Sequence, residues 1–121
     1  MGFFSGSKNT NKLSWNNLEK LPSLTDIDAV SNERPVLILK HSTRCSISAM
    51  AKNRLELYWD NEAGIEPYYL DLLSHRDISD ELALKYKVKH ESPQIFLIKN
   101  GACIYHASHN EIDFNQIKKL V

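Results

Sequence analysis

Hydrophobic positions along the chain fall into runs of two kinds. Two short runs, Val36 to Leu39 and Ile95 to Ile98, are continuously apolar and contain β-branched residues, which is typical of strands buried on both faces of a sheet. Elsewhere, apolar residues recur every three or four positions, which is the spacing of an amphipathic helix. The pattern therefore predicts buried strands that alternate with helices.

The helical spacing predicts four helices, each with one apolar side that packs on the sheet. Their expected extents are about 23–32, 46–59, 78–87 and 111–120. The predicted buried stripe of the second helix consists of Ile47, Ala51, Leu55 and Tyr58.

An N-cap side chain accepts a hydrogen bond from the first turn. The expected N-caps are Ser42 or Thr43 for the second helix, and Asp77 and Asn110 for the last two.

Strands are expected at 36–39, 67–72, 94–98 and 102–107, and residues 13–18 are expected to form a short first strand or a turn. Asn100-Gly101 predicts a hairpin between the last two, because both central residues of a type I′ turn need positive φ. Helices between strands require crossover connections, so most of the sheet should be parallel and covered on both faces. The order predicts an α/β fold of the thioredoxin-like type, with a central mixed sheet and a C-terminal hairpin plus helix. A small doubly wound domain is the alternative, and the closing hairpin fits it poorly.

Length and charge narrow the class of protein. The chain has 121 residues, the size of one domain, and we expect a flexible polar tail over 1–12 and one domain over 13–121. Lys plus Arg and Asp plus Glu number 15 each, whereas proteins that bind nucleic acids or anionic membranes usually carry a basic excess. The apolar runs are too short to cross a bilayer. Neither nucleic acid nor membrane is an expected partner.

The two cysteines, Cys45 and Cys103, are too few for a disulfide framework. The sequence also starts without the pattern of a secretory signal peptide, so the expected location is the reducing cytoplasm. Cys103, in the returning strand of the hairpin, is expected to be a small buried hydrophobe, because a sheet edge lies too far from Cys45 for a disulfide. The histidines and cysteines lack metal-ligand spacing, so no metal site is expected.

Cys45 stands where a buried strand ends and a helix begins. The N-terminus of a helix favours an anion, and Arg44 adds a positive charge, so Cys45 is predicted to be a reactive thiolate nucleophile. The alternative is a buried cysteine without chemistry. Ser48 follows three residues later, where a dithiol enzyme has its second cysteine. A mixed disulfide on Cys45 should therefore persist until an external thiol attacks it. Ser48 either donates a hydrogen bond to the thiolate or bonds to the backbone.

Pro93 opens the second buried strand. In a thioredoxin-like domain this proline is expected to be cis and to face the active-site cysteine, although cis bonds are uncommon. The backbone of Ser92 would then be free to pair with an extended thiol-containing ligand. Thr43, Arg44 and Ser46 are expected to line the thiol-binding surface from the other side. An ordinary trans proline at the start of a strand is the alternative.

Two histidines lie close to these motifs. His41 could act as a base or counter-charge for Cys45, but the preferred interpretation is that it packs at the strand end. His90 precedes Pro93 by three residues and is expected to help hold the loop between them.

Two stretches together resemble a narrower family. They are residues 40–48, Lys-His-Ser-Thr-Arg-Cys-Ser-Ile-Ser, and residues 90–94, His-Glu-Ser-Pro-Gln, and they resemble the bacillithiol-system YtxJ family, the monothiol bacilliredoxins. Residues 82–101 also look like the second half of a thioredoxin. The resemblance implies that Cys45 removes bacillithiol from protein mixed disulfides, that Ser48 replaces the resolving cysteine and that Pro93 is the cis-proline. One departure is Ser46, where many members have proline.

The resemblance further implies which molecules take part. Bacillithiol would be the thiol co-substrate, with no tightly bound cofactor, and the partners would be S-thiolated proteins and a recycling thiol or reductase. The expected function is thus that of a cytoplasmic monothiol thiol–disulfide oxidoreductase. The alternative is a non-catalytic thioredoxin-like module for binding or redox sensing. A reactive, exposed thiolate favours the enzyme, whereas a buried, neutral thiol favours the module.

Overall fold

A computed structural model of the chain describes residues 13–121; the tail expected over 1–12 lies outside the described residues. Within the described part, the strands are β1 Asn16–Asn17, β2 Val36–His41, β3 Glu66–Asp71, β4 Gln94–Lys99 and β5 Ala102–Ser108. The helices are α1 Ser23–Ser31, α2 Ser46–Tyr58, α3 Arg76–Tyr86 and α4 Phe114–Lys118, with 3₁₀ turns at Asn61–Ala63 and His109–Glu111. No helix in this part of the chain has the length and apolar character needed to cross a membrane.

These strands form one mixed sheet in the order β1-β3-β2-β4-β5. Strands β1, β3 and β2 are parallel, whereas β4 runs antiparallel to both β2 and β5. All six residues of the central strand β2 are buried, as its continuous apolar run predicts. The predicted architecture, a central mixed sheet with helices on both faces and a C-terminal hairpin plus helix, is confirmed.

Two apolar clusters cover the two faces of the sheet. The cluster under α2 and α4 contains Leu37 and Leu39 of β2, and the cluster under α1 and α3 contains Val36 and Ile38. Successive side chains of a strand point to opposite faces. The last two residues of β2, which are Lys40 and His41, therefore also point to opposite faces, and both are buried.

Helix α2 buries two of the four residues of the predicted stripe, Ala51 and Leu55, together with Ser48. In contrast, Ile47 is 54% exposed and Tyr58 is 56% exposed. The prediction included Ile47 because it is apolar and lies four residues before Ala51. Ser48 is one turn before Ala51, on the side that faces the sheet, and hydrogen bonds rather than water satisfy its hydroxyl.

The predicted N-cap of α2 is wrong. The N-cap is Cys45 itself, in extended conformation (φ −111°, ψ 120°), and neither Ser42 nor Thr43 caps the helix through its side chain. The N–H of Cys45 donates to the carbonyl of Ser42 at 3.1 Å. Residues 42–45 therefore form a tight turn between β2 and α2, which delays the helix start beyond both candidates.

The predicted caps of the last two helices are also wrong. Helix α3 begins one residue before Asp77, with His75 at the N-cap. Helix α4 begins after Asp113, whose carboxylate accepts the N–H of Asn115 at 3.0 Å. Asn110 lies instead in the 3₁₀ turn that follows β5. In α4 the extended backbone that an N-cap requires occurs three residues later than the sequence suggests.

The β4–β5 hairpin has the predicted turn. Asn100 and Gly101 both have positive φ, 52° and 77°. Their N–H groups donate to the carbonyl and to the Oγ of Ser31, each at 2.9 Å. The same hydroxyl donates to the carbonyl of Asp28 at 2.7 Å, so the hairpin tip is bound to the C-terminal end of α1.

Candidate active site

Cys45 lies beyond the carboxyl end of β2 and at the start of α2, as predicted. Its carbonyl accepts the N–H of Ala49 at 3.0 Å, which is the first hydrogen bond of the helix. The Cys45 residue is partly exposed, and its neighbours Thr43, Arg44 and Ser46 are exposed. The four residues after Cys45 are uncharged, so no acidic side chain in the first turn opposes an anion there.

Ser48 is buried beneath this turn and holds it through two hydrogen bonds. Its Oγ accepts the N–H of Ser42 at 3.1 Å and lies 2.7 Å from Nδ1 of His41. Within residues 13–121 the hydroxyl proton has no other acceptor, so it is satisfied when Ser48 donates to His41. The predicted alternatives for Ser48 were a hydrogen bond to the Cys45 thiolate or one to the backbone. The hydrogen bond with the N–H of Ser42 matches the backbone alternative, and His41 is an additional side-chain partner.

His41 is packed at the end of β2, as the preferred interpretation predicted. Its ring is buried against Tyr69, with ring centroids 5.6 Å apart. Burial lowers the pKa of His41, the charge of Lys52 lowers it further, and the carboxylate of Asp71 opposes both. The neutral imidazole is the form that accepts the proton of Ser48, so the two side chains are mutually compatible near neutral pH.

The second motif lies at the same end of the sheet. The Ser92–Pro93 bond is cis, as predicted. In the antiparallel register, Lys40 is paired with Gln94, so the loop before β4 and the turn after β2 are neighbours. Pro93 is buried and its carbonyl accepts the N–H of His109 at 3.1 Å. The Oγ of Ser92 is buried and has no hydrogen-bond partner among the described residues.

Two side chains with no predicted role of their own, Gln94 and Lys40, support the loop 89–93. Gln94 donates from Nε2 to the carbonyl of Lys89 at 3.0 Å and accepts the N–H of Glu91 at 3.3 Å. Lys40 places its Nζ 2.9 Å from Nδ1 of His90. This contact confirms the prediction that His90 helps to hold the loop. The feature of the sequence that could have indicated a role for Lys40 is its position directly after the apolar run Val36 to Leu39.

Lys40 is fully buried and lies over the ring of Phe96, 5.3 Å from the ring centroid. Burial lowers the pKa of Lys40 to about 8, and the carboxylate of Asp80 opposes this change. The nitrogen therefore loses its charge far more readily than that of an exposed lysine.

Cys103 lies far from this site. It is partly buried in the cluster under α1 and α3, and burial raises the pKa of its thiol. Its register partner Ile98 is paired with Val36, at the opposite end of β2 from His41, a distance of about 16 Å along the strand. Cys103 thus matches the predicted structural role. Among the described residues, no three His, Cys, Asp or Glu side chains form a group that could hold a metal ion.

One protein family and several solved structures are similar to the chain. The family model described as monothiol bacilliredoxin BrxC matches residues 16–117. A solved structure described as a candidate oxidoreductase with a thioredoxin fold is 34% identical, with a TM-score of 0.73, over 85% of this chain and 89% of that chain. Thioredoxin from Malassezia sympodialis is 16% identical, with a TM-score of 0.68, over 88% of this chain and 87% of its own. Thioredoxin from Trypanosoma brucei brucei is 12% identical, with a TM-score of 0.68, over 94% of this chain and 95% of its own. The two thioredoxins support the fold alone.

Proposed function

The chain belongs to the monothiol bacilliredoxin BrxC family, and on this premise we propose that Cys45 removes bacillithiol from protein mixed disulfides. The family and the oxidoreductase with a thioredoxin fold establish a thiol–disulfide oxidoreductase that works with a low-molecular-weight thiol. The proposal concerns the identity of that thiol and the residues that react with it.

The proposed reaction is a thiol–disulfide exchange at Cys45. The Cys45 thiolate attacks the bacillithiol sulfur of the mixed disulfide, the bond to the protein sulfur breaks, and the protein thiolate leaves and takes up a proton from water. Cys45 then carries bacillithiol as a new mixed disulfide. A second bacillithiol thiolate attacks that adduct, releases bacillithiol disulfide and restores Cys45. The substrate protein is thereby reduced, and the free bacillithiol that attacks the adduct is oxidised as it joins the released one in bacillithiol disulfide.

The position of Cys45 is the observation that carries this proposal. It is a partly exposed N-cap residue that precedes an uncharged first turn, which is the setting that activates cysteine thiols. Its sequence neighbours Thr43, Arg44 and Ser46 are exposed, and in this proposal they contact the thiol. The backbone at Ser92 would pair with an extended segment of the substrate protein.

Ser48 makes the reaction a monothiol one. Its Oγ occupies the buried place one turn into α2 where a second thiol would otherwise lie, and it is committed to Ser42 and His41. A serine hydroxyl forms no disulfide with Cys45. The adduct therefore awaits an external thiol or a reductase.

The proposed setting is the reducing cytoplasm, with S-thiolated proteins as partners and a separate reductase or free thiol for recycling. The alternative, a non-catalytic module that stores a redox signal on Cys45, would form the same adduct without turnover. Both functions need an accessible Cys45, and membership of the monothiol bacilliredoxin family favours turnover.

Intact mass spectrometry tests this function. Protein incubated with bacillithiol disulfide should gain one bacillithiol, and Cys103→Ser should gain the same adduct whereas Cys45→Ser should gain none. Reduced bacillithiol should then remove the adduct, and catalytic amounts of protein should release bacillithiol from an S-bacillithiolated protein. An adduct on Cys103 alone would overturn the assignment of the nucleophile. An adduct on Cys45 without turnover would favour the storage module.

A further inference from the structure

Two buried polar side chains at the end of the sheet have no part in the exchange reaction. Lys40 is 0% exposed and Gln94 is 1% exposed. They are register partners on β2 and β4, and they point to the α1 and α3 face. The residues two positions before Lys40 and two positions after Gln94 on that face are apolar, Ile38 and Phe96.

Gln94 binds the main chain on both sides of His90. Its amide nitrogen donates to the carbonyl of Lys89, and its amide oxygen accepts the N–H of Glu91. A buried glutamine that gives both ends of its amide to one loop fixes the local path of that loop.

Lys40 holds the residue between these two contacts. Its Nζ donates to Nδ1 of His90 at 2.9 Å. Three consecutive loop residues, 89–91, therefore have hydrogen bonds to the two buried side chains. Burial of an amine costs stability, and a methionine would fill the same space at lower cost. The contact is therefore better explained by the conformation that it imposes on the loop than by stability.

We propose that Lys40, Gln94 and His90 are positioning residues that fix the loop 89–93 and so set how the backbone at Ser92 receives the peptide around the substrate's thiolated cysteine. This inference rests on the proposed function, since it concerns how the protein part of the mixed disulfide binds. It predicts that the loop contacts matter for a substrate that has a peptide backbone and not for one that lacks it.

The contact between Lys40 and His90 has a defined pH dependence. Nδ1 of His90 accepts only while the ring is neutral, and Lys40 keeps N–H donors whether or not it is charged. Burial lowers the pKa of His90, and the charges of Lys40 and Arg76 lower it further. Asp80 and Glu91 oppose them. The contact should therefore exist above that lowered pKa and be lost as the pH falls through it.

Two substrates separate a positioning role from a general structural one. The first is an S-bacillithiolated peptide, and the second is the mixed disulfide of bacillithiol and cysteamine, which has no backbone to pair with Ser92. Lys40→Met and His90→Leu should each lower the ratio of kcat/KM for the peptide to that for the small disulfide by about fivefold, the effect of one lost hydrogen bond. Lys85→Met, a control on the surface of α3, should leave the ratio unchanged.

His90→Asn supplies the conservative variant. An asparagine oxygen can accept from Lys40 but does not titrate, so the ratio should stay near that of the wild type and should no longer fall at acid pH. If Lys40→Met reduces kcat/KM equally for both substrates, or leaves the ratio unchanged, the positioning role is refuted.

NMR distinguishes failure of this inference from failure of the proposed function. Lys40→Met should shift the amide resonances of Glu91 and Ser92 and raise the pKa of His90, since one cause of its lowering is removed. If the wild-type protein turns over neither disulfide, the proposed function fails while these shifts still test the loop contact. Unchanged resonances and an unchanged His90 titration would refute the contact itself.

Discussion

Lys40 and His41 are consecutive residues at the end of β2, yet they support different halves of the site. His41 points toward α2 and binds Ser48, which holds the turn that carries Cys45. Lys40 points to the opposite face and binds His90, in the loop that leads to Pro93. Because side chains alternate along a strand, the end of one central strand can fix both segments of the site at once.

The contact between His41 and Ser48 and the contact between Lys40 and His90 differ in their effect on the stability of the fold. His41 and Ser48 are neutral partners that satisfy each other, and such buried hydrogen bonds contribute modestly to stability. Lys40 is an amine removed from water, and its only hydrogen-bond partner within the described residues is a histidine. We therefore expect the His41 side to govern the reacting turn and the fold, and the Lys40 side to govern substrate binding at some expense of stability.

Ser48→Cys should have the largest effect, because it changes the chemistry of the His41 side. The new thiol would lie next to Nδ1 of His41, which can take its proton, and one turn from Cys45. A second thiol held in place can act with an effective concentration on the order of 10⁵ M. The bacillithiol adduct of this variant should therefore disappear without added thiol and leave an internal disulfide.

Adduct lifetime after removal of excess reagent is the measurement for Ser48→Cys. Ser48→Ala is the matched control, since it removes the hydroxyl but adds no thiol, and it should retain its adduct as the wild type does. If the wild type clears its adduct as fast as Ser48→Cys, another thiol resolves it and the monothiol mechanism is wrong. Cys103→Ala would then show whether Cys103 is that thiol.

Removal of the acceptor on His41 should have the next largest effect. His41→Phe keeps a ring against Tyr69 but leaves the buried hydroxyl of Ser48 without an acceptor, which costs about 1–3 kcal/mol of unfolding free energy. His41→Asn retains an acceptor and should lose less. Urea denaturation measures the unfolding free energy of both His41 variants. Lys40→Met is the comparison from the other face of the sheet, and we expect its unfolding free energy to be unchanged or higher. A loss at Lys40 as large as at His41 would contradict the difference between the two faces.

The smallest effect should appear in the dependence of stability on pH. The pKa of Lys40 is about 8 in the folded protein and 10.5 for an ordinary lysine, so between these values the unfolded chain binds the extra proton. The unfolding free energy of the wild type relative to that of Lys40→Met should therefore rise with pH above about 8, by roughly 1–2 kcal/mol by about pH 9.5. Burial raises the pKa of Cys103, which lowers the stability of both proteins over this range and cancels in the comparison. Burial raises the pKa of Tyr68 and Tyr69, which destabilises the fold at higher pH, so the comparison stops there. Parallel curves for the two proteins would contradict a buried, titrating amine.

Hydrophobic pattern and turn chemistry made most of the fold predictable. The continuous run at Val36 gave the central strand, and Asn100-Gly101 gave the hairpin, because each depends only on local residues. The places of Cys45 and Pro93 could be predicted for the same reason, since each lies at the boundary of a strongly patterned element. The roles assigned to these residues stay predictions.

The contacts beneath the site were not predictable from local pattern. Lys40 and Gln94 are 54 positions apart in sequence and meet only through the strand register, which the sequence does not specify. Ser48 is polar and was not expected to be buried, because its partners, Ser42 and His41, come from the turn and strand below it. The burial of such polar residues depends on tertiary contacts, which hydrophobic periodicity does not reveal.

The attachment of the hairpin tip to Ser31 has a consequence for amide hydrogen exchange. Turn amides usually exchange with solvent quickly, but the N–H groups of Asn100 and Gly101 are bound to a residue that is 1% exposed in α1. They can exchange only when the hairpin separates from that helix. Slow exchange at Gly101 would thus report a cooperative opening unit that joins segments 70 positions apart, with the edge strand β5 protected from fraying at its first residue.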